Sequence, residues 1–198
     1  MAHEQNQLFI RSSNMKPALI LIDIQNDYFP GGKMELEGSP EASLQAAKLI
    51  ETFRARRLPL VHIQHVSNRP GASFFVPGTE GMNIHADVAA RAGETVLQKN
   101  FPNSFRGTKL LEHLRGLSVD HLVIAGMMTH MCVDATTRAA FDLGFSCSLA
   151  HDACATRALA FGDERVPAAQ VHAAFVAALA GLYAKVQSAA AIAAEIAT

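Results

Sequence analysis

Ala18 to Ile22 (ALILI) is a short apolar run closed by Asp23. A run of this length without polar alternation is the pattern of a parallel strand buried on both faces. Leu60 to Val66 (LVHIQHV) alternates enough to be a second strand. Thr95 to Gln98 forms a third that ends at Lys99, His121 to Ala125 a fourth, Phe145 to Ala150 a fifth and Leu182 to Val186 a sixth. Helical stretches separate them. Ser39-Pro40-Glu41 opens the first helix, with Ser39 as N-cap and Pro40 in the first turn, and this helix runs to about Arg57. Further helices are expected over about Gly107 to Arg115, from Cys132 to an exit at Gly144, over roughly Glu164 to Ala180, and in the alanine-rich end of the chain.

Strand and helix therefore alternate throughout, which predicts an α/β fold of three α-β-α layers: a Rossmann-like, six-stranded parallel sheet with helices on both faces. No linker or internal repeat interrupts the pattern, so residues 1–198 read as a single domain, with 1–16 as a flexible N-terminal extension. Ligands of such sheets bind beyond the carboxyl ends of the strands. Asp23, Lys99 and Cys132 each fall at that end of a different strand, so they converge if the first, third and fourth strands lie near one another. At a helix start, Cys132 would meet the positive end of the macrodipole and unpaired backbone N–H groups, which favour a thiolate and can hold an oxyanion. The long connection from Ser67 to Gly93 carries Phe74 and Phe75, adjacent large apolar groups that favour a functional loop over a disordered linker.

Composition narrows the partners. A hydrophobic share of 49% with 18% charged residues describes an ordinary soluble globular chain, and a net charge of −1 gives no electrostatic argument for nucleic acid or an anionic membrane. A small molecule is the expected partner. The three cysteines, Cys132, Cys147 and Cys154, form no CxxC pair and no disulfide framework. Together with the lack of a signal-like or membrane-length apolar run, they predict a cytoplasmic protein. Cys147 and Cys154 read as packing residues.

Three segments then carry a resemblance: DIQNDYFPGG from Asp23, KNFPNSF from Lys99, and GMMTHMCVDATTRAAFDLGF from Gly126. Together they resemble the isochorismatase-like cysteine hydrolase family, which includes nicotinamidases and N-carbamoylsarcosine amidases, and the likeness runs from about Pro17 to Val186. The resemblance implies a catalytic triad of Asp23, Lys99 and Cys132. Chemistry supports each role independently: a carboxylate can take the thiol proton, return it to a leaving amine and then activate water. A lysine beside both favours the thiolate, bringing it toward the roughly 3.5 to 7.5 range of reactive cysteines. The resemblance also implies an oxyanion hole of the backbone N–H groups of Met128 and Cys132, exposed by a non-proline cis peptide between Met127 and Met128. It implies substrates among small amides, carbamoyl compounds, ureido compounds and lactams, cleaved through a Cys132 acyl-thioester, and a homo-oligomer, either dimer or tetramer. Tyr28, Phe29, Phe74, Phe75 and Phe101 are candidate apolar walls, and Thr129 a further substrate contact. Gln25, Asn26 and Asp27 read as loop hydrogen-bonding residues.

Nine histidines raise the question of a metal, which nicotinamidases bind through an Asp-x-His pattern. His62 and His65 are three apart on a strand and face opposite ways, and the aspartate two positions before a histidine is missing. No metal and no other cofactor is expected. Two other functions compete with amide hydrolysis. Isochorismate-type vinyl ether hydrolysis needs acid catalysis and no nucleophile, and redox sensing would oxidise Cys132, with Cys154 as a resolving thiol.

Overall fold

A computed structural model describes residues 15–197; residues 1–14 and 198 lie outside it, and with them nearly all of the expected N-terminal extension. Among the described residues there are eight strands: β1 (Pro17–Ile22), β2 (Leu60–His65), β3 (Thr95–Lys99), β4 (His121–Met127), β5 (Ser146–Ala155), β6 (Leu159–Phe161), β7 (Glu164–Val166) and β8 (Lys185–Gln187). The helices are α1 (Ser39–Ala55), α2 (Leu110–Gly116), α3 (Asp134–Asp142), α4 (Ala168–Leu179) and α5 (Ala189–Ala197). Six strands form one sheet in the order β3-β2-β1-β4-β5-β8, with every neighbouring pair parallel. The expected parallel sheet between helical layers is what the chain forms.

The unbroken apolar character of β1 follows from its central place. Leu19 and Leu21 pack with Leu49, Ile50 and Phe53 of α1 and Ile192 of α5. Ala18, Ile20 and Ile22 join Leu110 and Leu114 of α2, Ala140 of α3 and Leu179 of α4. Alternate side chains thus feed two cores, and full burial of each Leu or Ile contributes about 1.5–3 kcal/mol. Among the described residues no helix is long and apolar enough to cross a membrane.

Several boundaries differ from the sequence reading. The N-cap of α1 is Gly38, in a left-handed conformation at φ 76°, while the Ser39 hydroxyl donates back to Leu36 O at 3.2 Å. β4 continues to Met127, and β5 runs through Asp152-Ala153-Cys154, which therefore lie inside a strand and not beyond its end. A bulge accounts for the extra length: the register passes from Ile124↔Leu149 to Gly126↔Cys154, so β5 advances five residues while β4 advances two. The helix expected from Glu164 starts only at Ala168, because β6 and β7 pair antiparallel around Gly162-Asp163, with Gly162 at φ 58°. A two-residue Gly-Asp connection is a hairpin signal, and Pro167 marks the later helix start. The last sheet strand is correspondingly β8, three residues past Leu182.

Gly126 decides how closely β1 and β4 approach. It pairs with Ile22, lies at φ 139°, and a Cβ there would come within 2.1 Å of the Ile22 carbonyl oxygen. Because that neighbour is backbone in the middle of the sheet, it cannot move aside cheaply. Gly126→Ala is expected to cost about 2 kcal/mol or more. Thermal denaturation should show a fall in Tm of about 5 °C or more, and an unchanged Tm would contradict the constraint.

Candidate active site

β1 ends at Ile22, and the next residue, Asp23, turns into the left-handed region at φ 52° while its N–H still donates to Ile63 O at 3.0 Å. Aspartate is among the few non-glycine residues that tolerate this conformation. Its carboxylate is fully buried, and Oδ2 lies 2.7 Å from the Nζ of Lys99. Lys99 closes β3, two strands away in the sheet, so its side chain crosses the end of β2 at His65. There the His65 Nδ1 is 3.3 Å from Nζ and 3.9 Å from Asp23 Oδ2. Nζ also donates to the carbonyl oxygens of Phe101 (3.1 Å) and Pro102 (3.2 Å). Burial works against the Lys99 charge, but the Asp23 carboxylate and the Cys132 sulfur outweigh it and leave the ammonium above its ordinary range.

Cys132 approaches from β4. The chain passes a cis Met127–Met128 peptide into a π-helical turn, Thr129–Val133, in which Val133 N–H donates to Met128 O at 3.2 Å. α3 begins only at Asp134, so Cys132 sits in the wider turn before the α-helix and not at its first residue. The thiol is buried, and Asp23, His65 and Cys132 each offer an atom within 4.8 Å of the others. Burial and the neighbouring carboxylate push the Cys132 thiol up, with Lys99 only partly opposing them. The shift therefore runs opposite to the lowering expected from a neighbouring lysine alone. Neither carboxylate oxygen of Asp23 has a hydrogen-bond partner among the described residues, Oδ2 being held only by the ion pair with Lys99, which leaves acceptor capacity unused. The same three donors could in principle surround a metal, but the Lys99 ammonium already occupies the space between Asp23 and His65, and a second cation would meet its repulsion.

The Ser67 to Gly93 connection is tied to the segment after β1 mainly through backbone atoms. The Gln25 amide brackets His65, accepting from its N–H at 2.7 Å and donating to its carbonyl at 3.0 Å, and also reaches Met82 O at 2.7 Å. Asn26 donates to Glu80 O at 3.0 Å. Asp27 accepts from the N–H of Phe75 at 2.6 Å and of Lys33 at 3.1 Å. Gly81 packs so closely on Asp27 that a Cβ would lie 2.1 Å from Oδ1.

The expected pocket residues separate. Burial holds the Tyr28 hydroxyl well above the usual phenol range, and its nearness to Cys132 and Asp23 adds to this. Its ring meets Phe75 at 4.6 Å and Phe74 at 6.0 Å. Phe75 is wholly buried and belongs to the core behind the site, so it is not a free wall, whereas Phe74 is partly buried beside it. Phe29 instead stacks on His85 at 3.6 Å. Phe101 lends its carbonyl to Lys99 while its ring, 40% exposed, lies beneath the Arg106 guanidinium at 3.8 Å. Thr129 is buried, and its hydroxyl engages Ala155 O at 3.3 Å and His172 Nδ1 at 3.0 Å. His172 also borders a cavity of about 400 Å³ that includes Glu37, Glu41, His151, Asp152 and Thr156 but not Cys132.

Sequence reasoning weighed His65 only as a metal ligand. The signal that finds it is positional, since β2 lies between β1 and β3 and its last residue must meet any side chain passing from Lys99 to Asp23.

Comparison with known proteins supplies independent information. Residues 17–191 match the Isochorismatase domain model. The uncharacterized isochorismatase family protein YddQ of Bacillus subtilis is 49% identical over 174 residues, covering 88% of this chain and 97% of the relative. A crystal structure from Oleispira antarctica, of a protein assigned to the isochorismatase hydrolases, superposes with a TM-score of 0.88 at 50% identity, covering 93% of this chain and 99% of the other. A maleamate amidohydrolase of Pseudomonas putida is 31% identical over 144 residues, covering 66% of this chain and 68% of its own.

The electrostatics of Cys132 are testable without a substrate. Asp23→Asn removes the anion that raises the thiol and leaves Lys99 to lower it, so more thiolate should exist at pH 7. Each pK unit of lowering corresponds to about a tenfold rise in the thiolate fraction, and iodoacetamide should alkylate Cys132 in this variant about tenfold faster or more. Slower alkylation would mean that Asp23 does not hold the thiol protonated.

Proposed function

The chain belongs to the isochorismatase family of hydrolases, and from that premise we propose that it is a cysteine amidohydrolase cleaving the C–N bond of a small amide, carbamoyl or ureido compound. The observation that carries this reading is the buried carboxylate of Asp23, 2.7 Å from the Lys99 ammonium and within 4.8 Å of the Cys132 sulfur. A maleamate amidohydrolase among the relatives supports the same bond class. Residues 17–191 act as one hydrolase unit in this reading.

The reaction starts with the proton on sulfur, consistent with the raised thiol. Asp23 takes that proton as Sγ attacks the carbonyl carbon, and the backbone N–H groups of Met128 and Cys132 receive the oxyanion. As the tetrahedral intermediate collapses, Asp23 returns the proton to the leaving nitrogen, and ammonia or an amine departs from a Cys132 acyl-thioester. Asp23 then takes a proton from water, the hydroxide attacks the thioester, and the acid leaves as the proton returns to sulfur. Lys99 keeps its charge throughout and stabilises Asp23 whenever that group is ionised. Tyr28 and Phe74 form one wall against the substrate, with the Tyr28 hydroxyl protonated and able to donate.

The competing functions fit less well. Vinyl ether hydrolysis gives no use to a buried nucleophile aligned with a base. Redox sensing requires thiolates, whereas burial pushes the Cys154 thiol up to about 12 and its Sγ is engaged with Ala150 O at 3.3 Å.

Ammonia release from a panel of small amides, ureas and ureido acids tests the proposal. Cys132→Ala should lower turnover by roughly 10³-fold or more while leaving the fold intact, and mass spectrometry of the wild type should find an acyl adduct on Cys132. Full turnover by Cys132→Ala, or oxygen adducts as the sole modification, would overturn it.

A further inference from the structure

We propose that His65 is a positioning residue of this site: a neutral imidazole, protonated on Nε2, whose Nδ1 lone pair accepts from Lys99 and holds the ammonium in place during the step in which Asp23 is neutral. The inference rests on the Asp23, Lys99 and Cys132 reading for its purpose, but its structural part stands on geometry alone. The two groups beside Nδ1 demand opposite things of it. Lys99 can only donate, whereas an ionised Asp23 can only accept. Nδ1 is at hydrogen-bonding distance from Lys99 Nζ, 3.3 Å, and beyond it from Asp23 Oδ2, 3.9 Å. The acceptor role is therefore the one the geometry satisfies, and the ring proton belongs on Nε2.

The surroundings favour the neutral ring. Burial lowers the pKa of His65, and the cations of Lys99 and Arg69 add to this against the single opposing charge of Asp23. The backbone gives the ring little freedom, because Gln25 holds both the N–H and the carbonyl of His65 and the ring packs 5.9 Å from that of Phe75.

Lys99 explains why such an acceptor matters. Its three N–H groups are matched by three neutral acceptors, Phe101 O, Pro102 O and His65 Nδ1, while Asp23 Oδ2 is held at 2.7 Å by charge. At rest the carboxylate dominates. Once Asp23 has taken the thiol proton, the ion pair loses its negative member, and a buried ammonium without an anion is held only by neutral acceptors. His65 and the two carbonyls then keep Nζ where it stands, so that Lys99 still faces Asp23 when the proton is passed on to the leaving nitrogen. His65 need not touch the substrate or carry a proton in the reaction.

Two measurements test this. Nitrogen NMR of histidine-labelled wild-type protein at pH 7, with the His65 resonances identified by their loss in His65→Asn, should find Nδ1 unprotonated and Nε2 protonated. A proton on Nδ1, or an imidazolium, overturns the proposal whether or not a substrate has been found. With an amide substrate in hand, His65→Ala should lower kcat about tenfold or more with KM changed by less than about twofold. His65→Asn, whose side-chain oxygen can accept from Nζ, should recover most of that loss. A raised KM with unchanged kcat would make His65 a substrate contact, and an asparagine variant no better than alanine would remove the acceptor role; either result overturns the proposal. If the panel yields no substrate, the hydrolase reading fails and the tautomer measurement still decides the position of the proton.

Discussion

An ammonium and a carboxylate buried together at 2.7 Å impose the strongest constraint in this structure. Each ion loses several kcal/mol of hydration, and removing either partner would strand the other in the interior. The fold must therefore bring Asp23 and Lys99 into register from strands that are not neighbours. Parallel pairing through β2 does this: Ile22 pairs with Ile63 and His65 with Lys99, so both charged groups emerge at the same edge. Cys132 is added from the opposite side by β4, which can come close to β1 because Gly126 has no side chain.

How much of this could be read in the chain depended on the range of the interactions involved. The apolar run at Ala18 to Ile22 and the residues closing the strands are local features, so the sheet and the three converging groups were legible. Their electrostatics were not. Whether a thiol is lowered by a lysine or raised by burial and a carboxylate depends on distances and solvent access, and here the second pair of effects outweighs the first. The aromatic candidates diverge for a related reason. Phe29, Phe74 and Phe75 have the same chemical character in the sequence, yet one stacks on His85, one stays half-buried beside Tyr28 and one is sealed in the core.

The errors in element boundaries were of a different kind. The β5 bulge and the β6–β7 hairpin are irregularities within or between elements, and periodicity over a few residues describes only the regular parts. Gly162-Asp163 did carry a hairpin signal, but an alanine-rich stretch of high helix propensity followed closely and masked it. The π-helical turn that carries Cys132 has no simple composition cue. Its wide geometry depends on how Met128 O is shared between Met131 and Val133.

The ties between the Ser67 to Gly93 connection and the segment after β1 have a consequence for how such a protein can change over generations. Gln25, Asn26 and Asp27 grip the carbonyls of Met82 and Glu80 and the N–H of Phe75, groups that nearly every amino acid supplies. The path of the loop is thus encoded largely in three residues outside it, with Gly81 as a local exception. Side chains along that path are free to vary as mutations arise without the loop losing its course. New substrate preferences can accumulate there while the chemistry at the strand ends is inherited unchanged.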